Sequence, residues 1–275
     1  MHHCKLNIEV WHLGDENPSA VIRNELENLG VILRNLSDSK LIRPINQRRD
    51  ADKQFQIKAS VIINSRFKEV LYLDSDNIPA NDPTFLFDMP VYKSTGALFW
   101  PDFWKTHGEN KIFDILDIAC EDEWEQESGQ IVIDKEKSWL PLQLVWYMQK
   151  NHDVYFQFLN GDKDTFKYAW KALNAPYHMV EAFVGMAGTM TENRFCDKNH
   201  FIPGHPWDLA KHSTLSYANT WIKPEFYISP KGQACMDFTH LQGEPDAITE
   251  DFDSVVPNLQ TNYFKFGGIG GETRY

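Results

Sequence analysis

Two aspartates one residue apart, Asp74 and Asp76, directly follow the apolar run at 70–73. In an extended chain, positions i and i+2 point to the same side, so both carboxylates are expected just beyond the carboxyl end of a buried strand. Two carboxylates about 4 Å apart repel each other by roughly 4 kcal/mol at an effective dielectric constant near 20. A divalent cation relieves this repulsion, and oxygen ligands suit Mn²⁺ or Mg²⁺. The pair therefore predicts a metal-binding or catalytic role.

The acidic content of the chain makes the bare motif weak. Asp and Glu account for 39 of 275 residues, which produces about five or six acid-x-acid pairs by chance. Other such pairs are expected to be solvated surface: Glu121/Glu123, Glu125/Glu127 and Asp251/Asp253. Asp74 and Asp76 differ by their position after the most strand-like segment, and the alternative for them is an acidic turn.

Asp162 and Asp164 stand directly before a segment with helical periodicity. Asp is a common N-cap, so one of them could simply begin the helix. The alternative is that one carboxylate faces a reacting centre, where the positive end of the helix favours its ionised form. The two interpretations are equally supported by these residues.

Four residues that suit a hydroxyl-rich ligand precede the apolar segment 131–133: Glu127, Ser128, Gly129 and Gln130. The glycine permits close approach of a ligand, and the polar side chains offer hydrogen bonds. An ordinary turn explains the same residues and is favoured when they are considered alone.

Two more side chains are weaker candidates. His240 could complete a metal site with Asp74 and Asp76 through a neutral imidazole, although a single histidine is more often structural. Trp100 could present a ring face to a sugar, but the tryptophans are expected mainly in the core.

The elements that must position these residues alternate in type at the start of the chain. Strand-like stretches lie at 6–11, 31–33 and 70–73, and helical periodicity separates them at 19–30 and 54–65. This order predicts parallel strands joined by crossover helices.

The first helix is expected to begin at Ser19 and to carry Ile22, Leu26 and Leu29 on one face. Strands are also predicted within 94–104 and at 131–133. Core helices are predicted at 139–149 and after Gly161. No internal repeat or linker separates these segments, so one domain is expected over 1–275. Its portions are 1–80, 81–266 and a flexible tail at 267–275.

Composition excludes several classes of protein. A hydrophobic content of 42% supports a folded core, and the net charge of −12 argues against nucleic acid or an anionic membrane as a partner. No apolar run is long enough to span a membrane. The four cysteines are widely spaced, which excludes a zinc ribbon and allows two disulfide bonds or none.

Taken in order, several stretches resemble the fungal-type Golgi α-mannosyltransferases, which add α-1,2- or α-1,3-linked mannose to glycans. They are Gln54-x-x-x-Lys58, residues 67–79 with the two aspartates, residues 95–102 from Thr95 to Asp102, residues 127–130, Asp134-Lys135 and residues 161–166. The resemblance covers roughly residues 8–170 and becomes looser afterwards. The motifs are specific together, and none is specific alone.

This resemblance implies a GT-A-type α/β fold, with a Rossmann-like mixed sheet flanked by helices. Residues 1–80 would form its nucleotide-binding portion and residues 81–266 its acceptor-side portion. It implies transfer of mannose from GDP-mannose to a mannan or an N- or O-glycan, with retention of the α configuration. Asp74 and Asp76 would bind Mn²⁺, or Mg²⁺, on the donor diphosphate. Asp162, with Asp164 as second choice, would lie near the anomeric carbon.

For the remaining residues, the resemblance supports a role less closely. Lys58 would lie near the donor, and Glu127 and Gln130 would line the sugar site. Trp100 and Asp102 are further candidates for donor or acceptor binding, and His240 resembles a late histidine that supplies a metal ligand. The implied location is the Golgi lumen, as a type II membrane protein whose anchor is not in this chain.

Family members have an earlier strand and helix before the segment equivalent to 8–11, and this unit is expected to be missing here. The 275-residue chain alone is therefore expected to be poorly stable and nearly inactive. One alternative is a haloacid-dehalogenase-type phosphatase, which requires an acid where Thr165 or Phe166 stands. The other is a non-enzymatic fragment or a module that only binds glycan.

Overall fold

The computed structural model describes residues 4–45, 56–75, 77, 79, 82–102 and 105–181, and then the strand segments 186–187, 189–191, 194–196, 202–203, 222–228 and 234–240. The chain divides into two compact units, residues 1–76 with 82–180 and residues 77–81 with 181–275. Helices and strands are mixed in the first unit, as expected for the α/β class. The predicted tail at 267–275 lies outside the described residues.

The first unit contains β1 (Glu9–His12), α1 (Ala20–Asn28), β2 (Ile32–Asn35), α2 (Ile57–Asn64), β3 (Glu69–Leu73), α3 (Pro90–Thr95), β4 (Ala97–Pro101), α4 (Ile112–Leu116), β5 (Gln126–Asp134), α5 (Trp139–Lys150), α6 (His152–Tyr155), α7 (Lys163–Ala172) and β6 (His178–Met179). Two 3-10 helices lie at Gly14–Glu16 and Pro83–Asp88. Across the described parts of the chain, every helix is too short or too polar to cross a membrane.

Strands β1 and β2 pair in parallel, as predicted, from Glu9 opposite Ile32 to His12 opposite Asn35. Ser19 caps the intervening helix α1, because its Oγ accepts a hydrogen bond from the backbone N–H of Ile22 at 3.3 Å. The apolar face of α1 is largely exposed. Ile22 is 50% exposed and Leu29 is 57% exposed, so helical periodicity identified the helix but not what covers it.

Strand β3 belongs to a four-stranded sheet with the order β3-β5-β4-β6. It pairs antiparallel with β5, from Glu69 opposite Asp134 to Leu73 opposite Gln130. The prediction that β3 continues a parallel set with the first two strands is therefore wrong. A short apolar run fits a buried strand of either direction, and strand direction is not encoded in its periodicity.

The pairing between β4 and β5 is antiparallel but irregular. Leu98 lies opposite Val132, whereas Trp100 lies opposite Glu127. Between these two pairs, β4 advances by two residues whereas β5 advances by five. The additional residues of β5 include Ser128, Gly129 and Gln130, so the irregularity falls on a predicted ligand-binding segment.

The core of the first unit lies between this sheet and helices α5 and α7. Its buried side chains include Phe99, Ile131, Ile133, Val145, Met148, Phe166, Ala169 and Trp170. The predicted core faces of α5 and α7 are confirmed at these helical positions. Leu140 and Leu173, which extend the same patterns to the helix ends, are exposed.

In the second unit, β8 (Thr189–Thr191), β9 (Arg194–Cys196), β11 (Ile222–Ile228) and β12 (Ala234–His240) form an antiparallel sheet with the order β11-β12-β9-β8. A separate antiparallel pair joins β7 (Met186–Ala187) and β10 (Ile202–Pro203).

Candidate active site

The ammonium group of Lys58, in the first turn of α2, joins three other segments of the first unit. Its Nζ lies 2.9 Å from Oδ2 of Asp74, just beyond β3, and 3.6 Å from Oδ2 of Asp162, where α7 begins. The ammonium also donates a hydrogen bond to Oγ of Ser128 in β5 at 2.8 Å. Three residues predicted from the sequence, Lys58, Asp74 and Asp162, are therefore brought together.

Lys58 compensates the negative charge of this cluster. Burial lowers the pKa of Lys58, but the charges of Asp162, Asp74 and Glu127 outweigh burial and raise the pKa above its ordinary value. The amine is therefore protonated at neutral pH. A buried cation at this point relieves the repulsion between the two aspartates that it contacts.

Asp74 is oriented by contacts on both of its carboxylate oxygens. The hydroxyl of Tyr72 donates a hydrogen bond to Oδ1 at 2.8 Å, and Lys58 binds Oδ2. The backbone N–H of Asp74 donates to the carbonyl oxygen of Gly129 at 2.8 Å, which continues the β3–β5 ladder past the strand end. Tyr72 was not among the predicted site residues. Its spacing of two from Asp74 was the signal that could have identified it.

Asp162 begins α7, but its side chain makes no hydrogen bond that caps the helix. Gly161, directly before it, has a φ of +86°, a left-handed conformation that favours glycine. The carboxylate instead lies beside Lys58, which disfavours the simple N-cap interpretation. Burial raises the pKa of Asp162 while Lys58 opposes the rise. The pKa of Asp162 is therefore raised, whereas its position at the positive end of the helix predicted a lowered pKa.

Two buried hydrogen bonds hold the start of α7 against the rest of the unit. Nε2 of Gln149 in α5 donates to Oγ1 of Thr165 at 2.9 Å. Oε1 of Gln126 in β5 accepts from the backbone N–H of Lys167, also at 2.9 Å. These contacts position the segment that carries Asp162.

Asp164 and Asp102 belong to a second charged cluster, centred on Lys163. The Nζ of Lys163 lies 2.9 Å from Oδ2 of Asp102 and 3.0 Å from Oδ2 of Asp164, and it also binds Glu125. Asp164 is almost fully buried, and its Oδ1 accepts a hydrogen bond from the backbone N–H of Gln126 at 2.9 Å. The prediction that Glu125 is solvated surface is wrong, because this ion pair holds it in a largely buried position.

Glu127, Ser128, Gly129 and Gln130 lie inside β5 and not in a turn before it. The interpretation of this segment as a turn is therefore wrong. Oε1 of Glu127 accepts a hydrogen bond from the backbone N–H of Gly129 at 2.6 Å. Ser128 and Gln130 are buried. The segment runs beside the strand end that carries Asp74, since Gln130 lies opposite Leu73.

Three further candidates are Trp100, His240 and Asp76. Trp100 is 1% exposed, so its ring face is covered in this structure. His240 ends β12 in the second unit, opposite Ile222. Asp76, the second aspartate of the motif, lies outside the described residues.

Within the described part of the chain, no cluster of three His, Cys, Asp or Glu side chains could hold a metal ion. Asp74 is the described member of the predicted metal-binding pair. Each oxygen of a carboxylate has two lone pairs, so Asp74 can bind a cation while it still accepts its hydrogen bonds from Tyr72 and Lys58. Its chemistry fits one ligand of a Mn²⁺ or Mg²⁺ site.

Comparison with known proteins identifies related mannosyltransferases. The mannosyltransferase family model Mannosyl_trans3 matches residues 2–125 and 123–207 of the chain. Alpha-1,2-mannosyltransferase MNN21 of Candida albicans is 29% identical over 241 residues, which cover 67% of this chain and 36% of that relative. Alpha-1,2-mannosyltransferase MNN2 of the same organism is 24% identical over 244 residues, 70% of this chain and 41% of the relative.

A third relative, alpha-1,2-mannosyltransferase MNN5 of Saccharomyces cerevisiae, is 26% identical over 183 residues, 46% of this chain and 31% of the relative. The chain therefore spans only 31–41% of the length of these three curated relatives.

Proposed function

Because the chain belongs to the Mannosyl_trans3 family of mannosyltransferases, we propose that it carries the catalytic site of an enzyme that transfers mannose from GDP-mannose to a mannose-containing glycan. The observation that carries this proposal is the meeting of Lys58, Asp74 and Asp162 at the carboxyl end of β3. A cluster of partly buried charged groups with shifted pKa values, such as Lys58 and Asp162, is a candidate functional site. Family membership also disfavours the phosphatase alternative.

We further propose a GT-A-type fold in which Asp74 and Asp76 would hold Mn²⁺, or Mg²⁺. When bound, the ion supplies positive charge that stabilises the departing GDP. The support from the structure is the orientation of Asp74, whose two oxygens are held by Tyr72 and Lys58. An oriented carboxylate loses little conformational freedom when a ligand binds to it.

In this proposal Asp162 faces the anomeric carbon, where a carboxylate stabilises positive charge that develops as the bond to GDP breaks. The new bond keeps the α configuration. Lys58 keeps Asp74 and Asp162 in place and lies beside the donor. Glu127 and Gln130, in the part of β5 next to Asp74, line the sugar site.

The proposed acceptor is a mannan or an N- or O-glycan, and the proposed location is the Golgi lumen, with the full-length product as a type II membrane protein. The three relatives are named as α-1,2-mannosyltransferases, which supports an α-1,2 linkage. A protein that only binds glycan is the alternative that the experiment must separate from an enzyme.

The test uses the full-length product of the gene, purified with Mn²⁺ and supplied with GDP-mannose and an α-linked mannobiose. Mannose transfer and the anomeric configuration of the product are measured by mass spectrometry and NMR. We expect an α-linked trisaccharide, preference for GDP-mannose over UDP-sugars, and no transfer by the Asp76→Ala variant. A β-linked product, preference for a UDP-sugar, or wild-type turnover by the variant contradicts the proposal. Binding of mannobiose without transfer supports the glycan-binding alternative.

A further inference from the structure

Two cysteines lie directly opposite each other in the sheet of the second unit. Strands β9 and β12 pair antiparallel, with Cys196 opposite Cys235 and Phe195 opposite Met236. Residues that are directly opposite on antiparallel strands belong to the same face of the sheet, with their Cα atoms about 4.5 or 5.5 Å apart. Disulfide bonds require Cα separations of about 4.4–6.8 Å. We propose that Cys196 and Cys235 form a cross-strand disulfide bond.

The register that places the two cysteines is supported on both sides. β12 pairs along its full length with β11, from Ile222 opposite His240 to Ile228 opposite Ala234. β9 pairs in turn with β8, with Cys196 opposite Thr189. Cys196 and Cys235 therefore lie on the two inner strands of the sheet, β9 and β12, whose positions are fixed by pairing on both edges.

The other two cysteines are unpaired in the structure. Cys4 and Cys120 are free thiols on the surface. The chain contains four cysteines in total. The spacing of the cysteines in the sequence allowed several pairings, and the strand register selects one of them.

Formation of the bond is a two-electron oxidation. The two thiols lose two protons and two electrons as the sulfur–sulfur bond forms, and a disulfide oxidant such as oxidised glutathione or an oxidised protein disulfide isomerase is reduced to two thiols. The secretory pathway supplies such an oxidant. The location of this protein in that pathway rests on the proposed function. The bond closes a loop of the chain between Cys196 and Cys235. It thereby lowers the conformational entropy of the unfolded second unit. It would stabilise the strand that ends at His240.

The experiment is peptide mapping of the protein produced through a yeast secretory pathway. The protein is alkylated with N-ethylmaleimide under denaturing conditions without reduction and then digested with trypsin. Cleavage after lysine and arginine places Cys196 in peptide 195–198 and Cys235 in peptide 232–265. We expect these peptides as one linked species that separates after reduction, while Cys4 and Cys120 carry the alkyl group. Alkylation of both Cys196 and Cys235 without reduction, or linkage of either to another cysteine, overturns the proposal.

Variants provide a second measurement. Cys196→Ser should expose one new alkylatable thiol at Cys235, and Cys235→Ser should expose one at Cys196. Both variants should lower the melting temperature to the same extent, and the double variant no further. Cys120→Ser is the matched control and should leave the linked peptide intact. A linked peptide in a protein without transferase activity contradicts only the proposed function, whereas an active protein without the linked peptide contradicts only the disulfide.

Discussion

The hydroxyl of Tyr72 donates a hydrogen bond to Oδ1 of Asp74 at 2.8 Å, across the last residue of β3. Lys58 holds the other oxygen of the same carboxylate. The Asp74 side chain therefore cannot rotate without breaking one of these two contacts. This distinguishes it from the many exposed acids of the chain and gives the proposed metal ligand a fixed orientation before any ligand binds.

The Tyr72→Phe substitution tests this orientation. It removes one hydroxyl and retains the ring, so Asp74 keeps its charge but loses one of its two anchors. We expect affinity for GDP in the presence of Mn²⁺ to fall by about 10-fold, the lower end of the effect of removing groups that orient metal ligands. Isothermal titration calorimetry measures the affinity. Tyr147→Phe, at an exposed tyrosine of α5, is the control. Equal affinities for the two variants would show that the hydroxyl does not orient the ligand.

The Lys58→Met substitution tests the compensation of charge. Methionine fills a similar volume but leaves Asp74 and Asp162 without the cation that lies between them. We expect kcat/KM to fall by at least about 100-fold, with a decrease of a few degrees in melting temperature. Lys68→Met is the matched control, since Lys68 forms a surface ion pair with Glu136. Near-wild-type transfer by Lys58→Met would exclude a role for the ammonium group at the site.

The Asp162→Asn substitution separates catalysis from helix capping. Because the side chain makes no capping hydrogen bond, we expect the helix to remain intact. Turnover should fall by at least about 100-fold, while the affinity for GDP-mannose changes less than about threefold. Asp153→Asn, at an exposed position of α6, is the control. Equal losses of turnover and affinity, together with a lower melting temperature, would instead support a structural role.

Asp164 should give the stability of the first unit a measurable pH dependence. Burial raises the pKa of Asp164 to about 6, although Lys163 opposes the rise. An unfolded Asp has a pKa of about 3.9, so between pH ~4 and ~6 the folded state binds more protons than the unfolded state. This carboxyl therefore lowers the free energy of unfolding as the pH rises through that window, by about 3 kcal/mol.

Urea denaturation at several pH values measures this effect. Asp164→Asn should remove the corresponding slope between pH ~4 and ~6. Asp114→Asn, at an exposed carboxylate of α4, should retain it. If both variants have the wild-type slope, the Asp164 carboxyl does not titrate in this range.

The Gly161→Ala substitution tests the backbone that precedes Asp162. A Cβ at this position would meet no atom within 4 Å, so the cost arises from the φ of +86° alone. We expect a loss of about 1–2 kcal/mol in the free energy of unfolding. Turnover should also decrease, because relief of the strain displaces the neighbouring carboxylate. Gly108→Ala is the control, since Gly108 lacks a positive φ. A stability equal to that of the control variant would contradict this account.

The parts of the fold that could be predicted from the sequence are those whose side chains repeat with a regular period. The buried faces of α5 and α7 have such patterns, and their core residues are confirmed. The apolar run at 70–73 correctly predicts strand β3, but of its four apolar residues Val70 alone is buried. Asp74 could also be predicted, because its position depends only on where β3 ends. The resemblance to a mannosyltransferase family rested on ordered motifs and is confirmed by the family match.

The charged cluster around Lys163 could not be predicted because it depends on tertiary contacts. Asp102 follows β4, Glu125 precedes β5, and Lys163 begins α7, so no local pattern connects them. The segment around Gly129 was misinterpreted for a related reason. Polar residues and a glycine are typical of turns, and only the neighbouring strands show that these residues are buried within a sheet.

The irregular pairing of β4 and β5 has a consequence for changes in chain length. The additional residues of β5 lie where Ser128 contacts Lys58 and where Gly129 accepts the hydrogen bond from Asp74. Deletion of one residue here would bring the β4–β5 ladder closer to regular pairing, but it would move Ser128 away from Lys58. Substitutions in this segment are therefore tolerated more readily than deletions. A shortened loop elsewhere can stabilise a protein at no cost to function, whereas a more regular sheet at this point would disrupt the site.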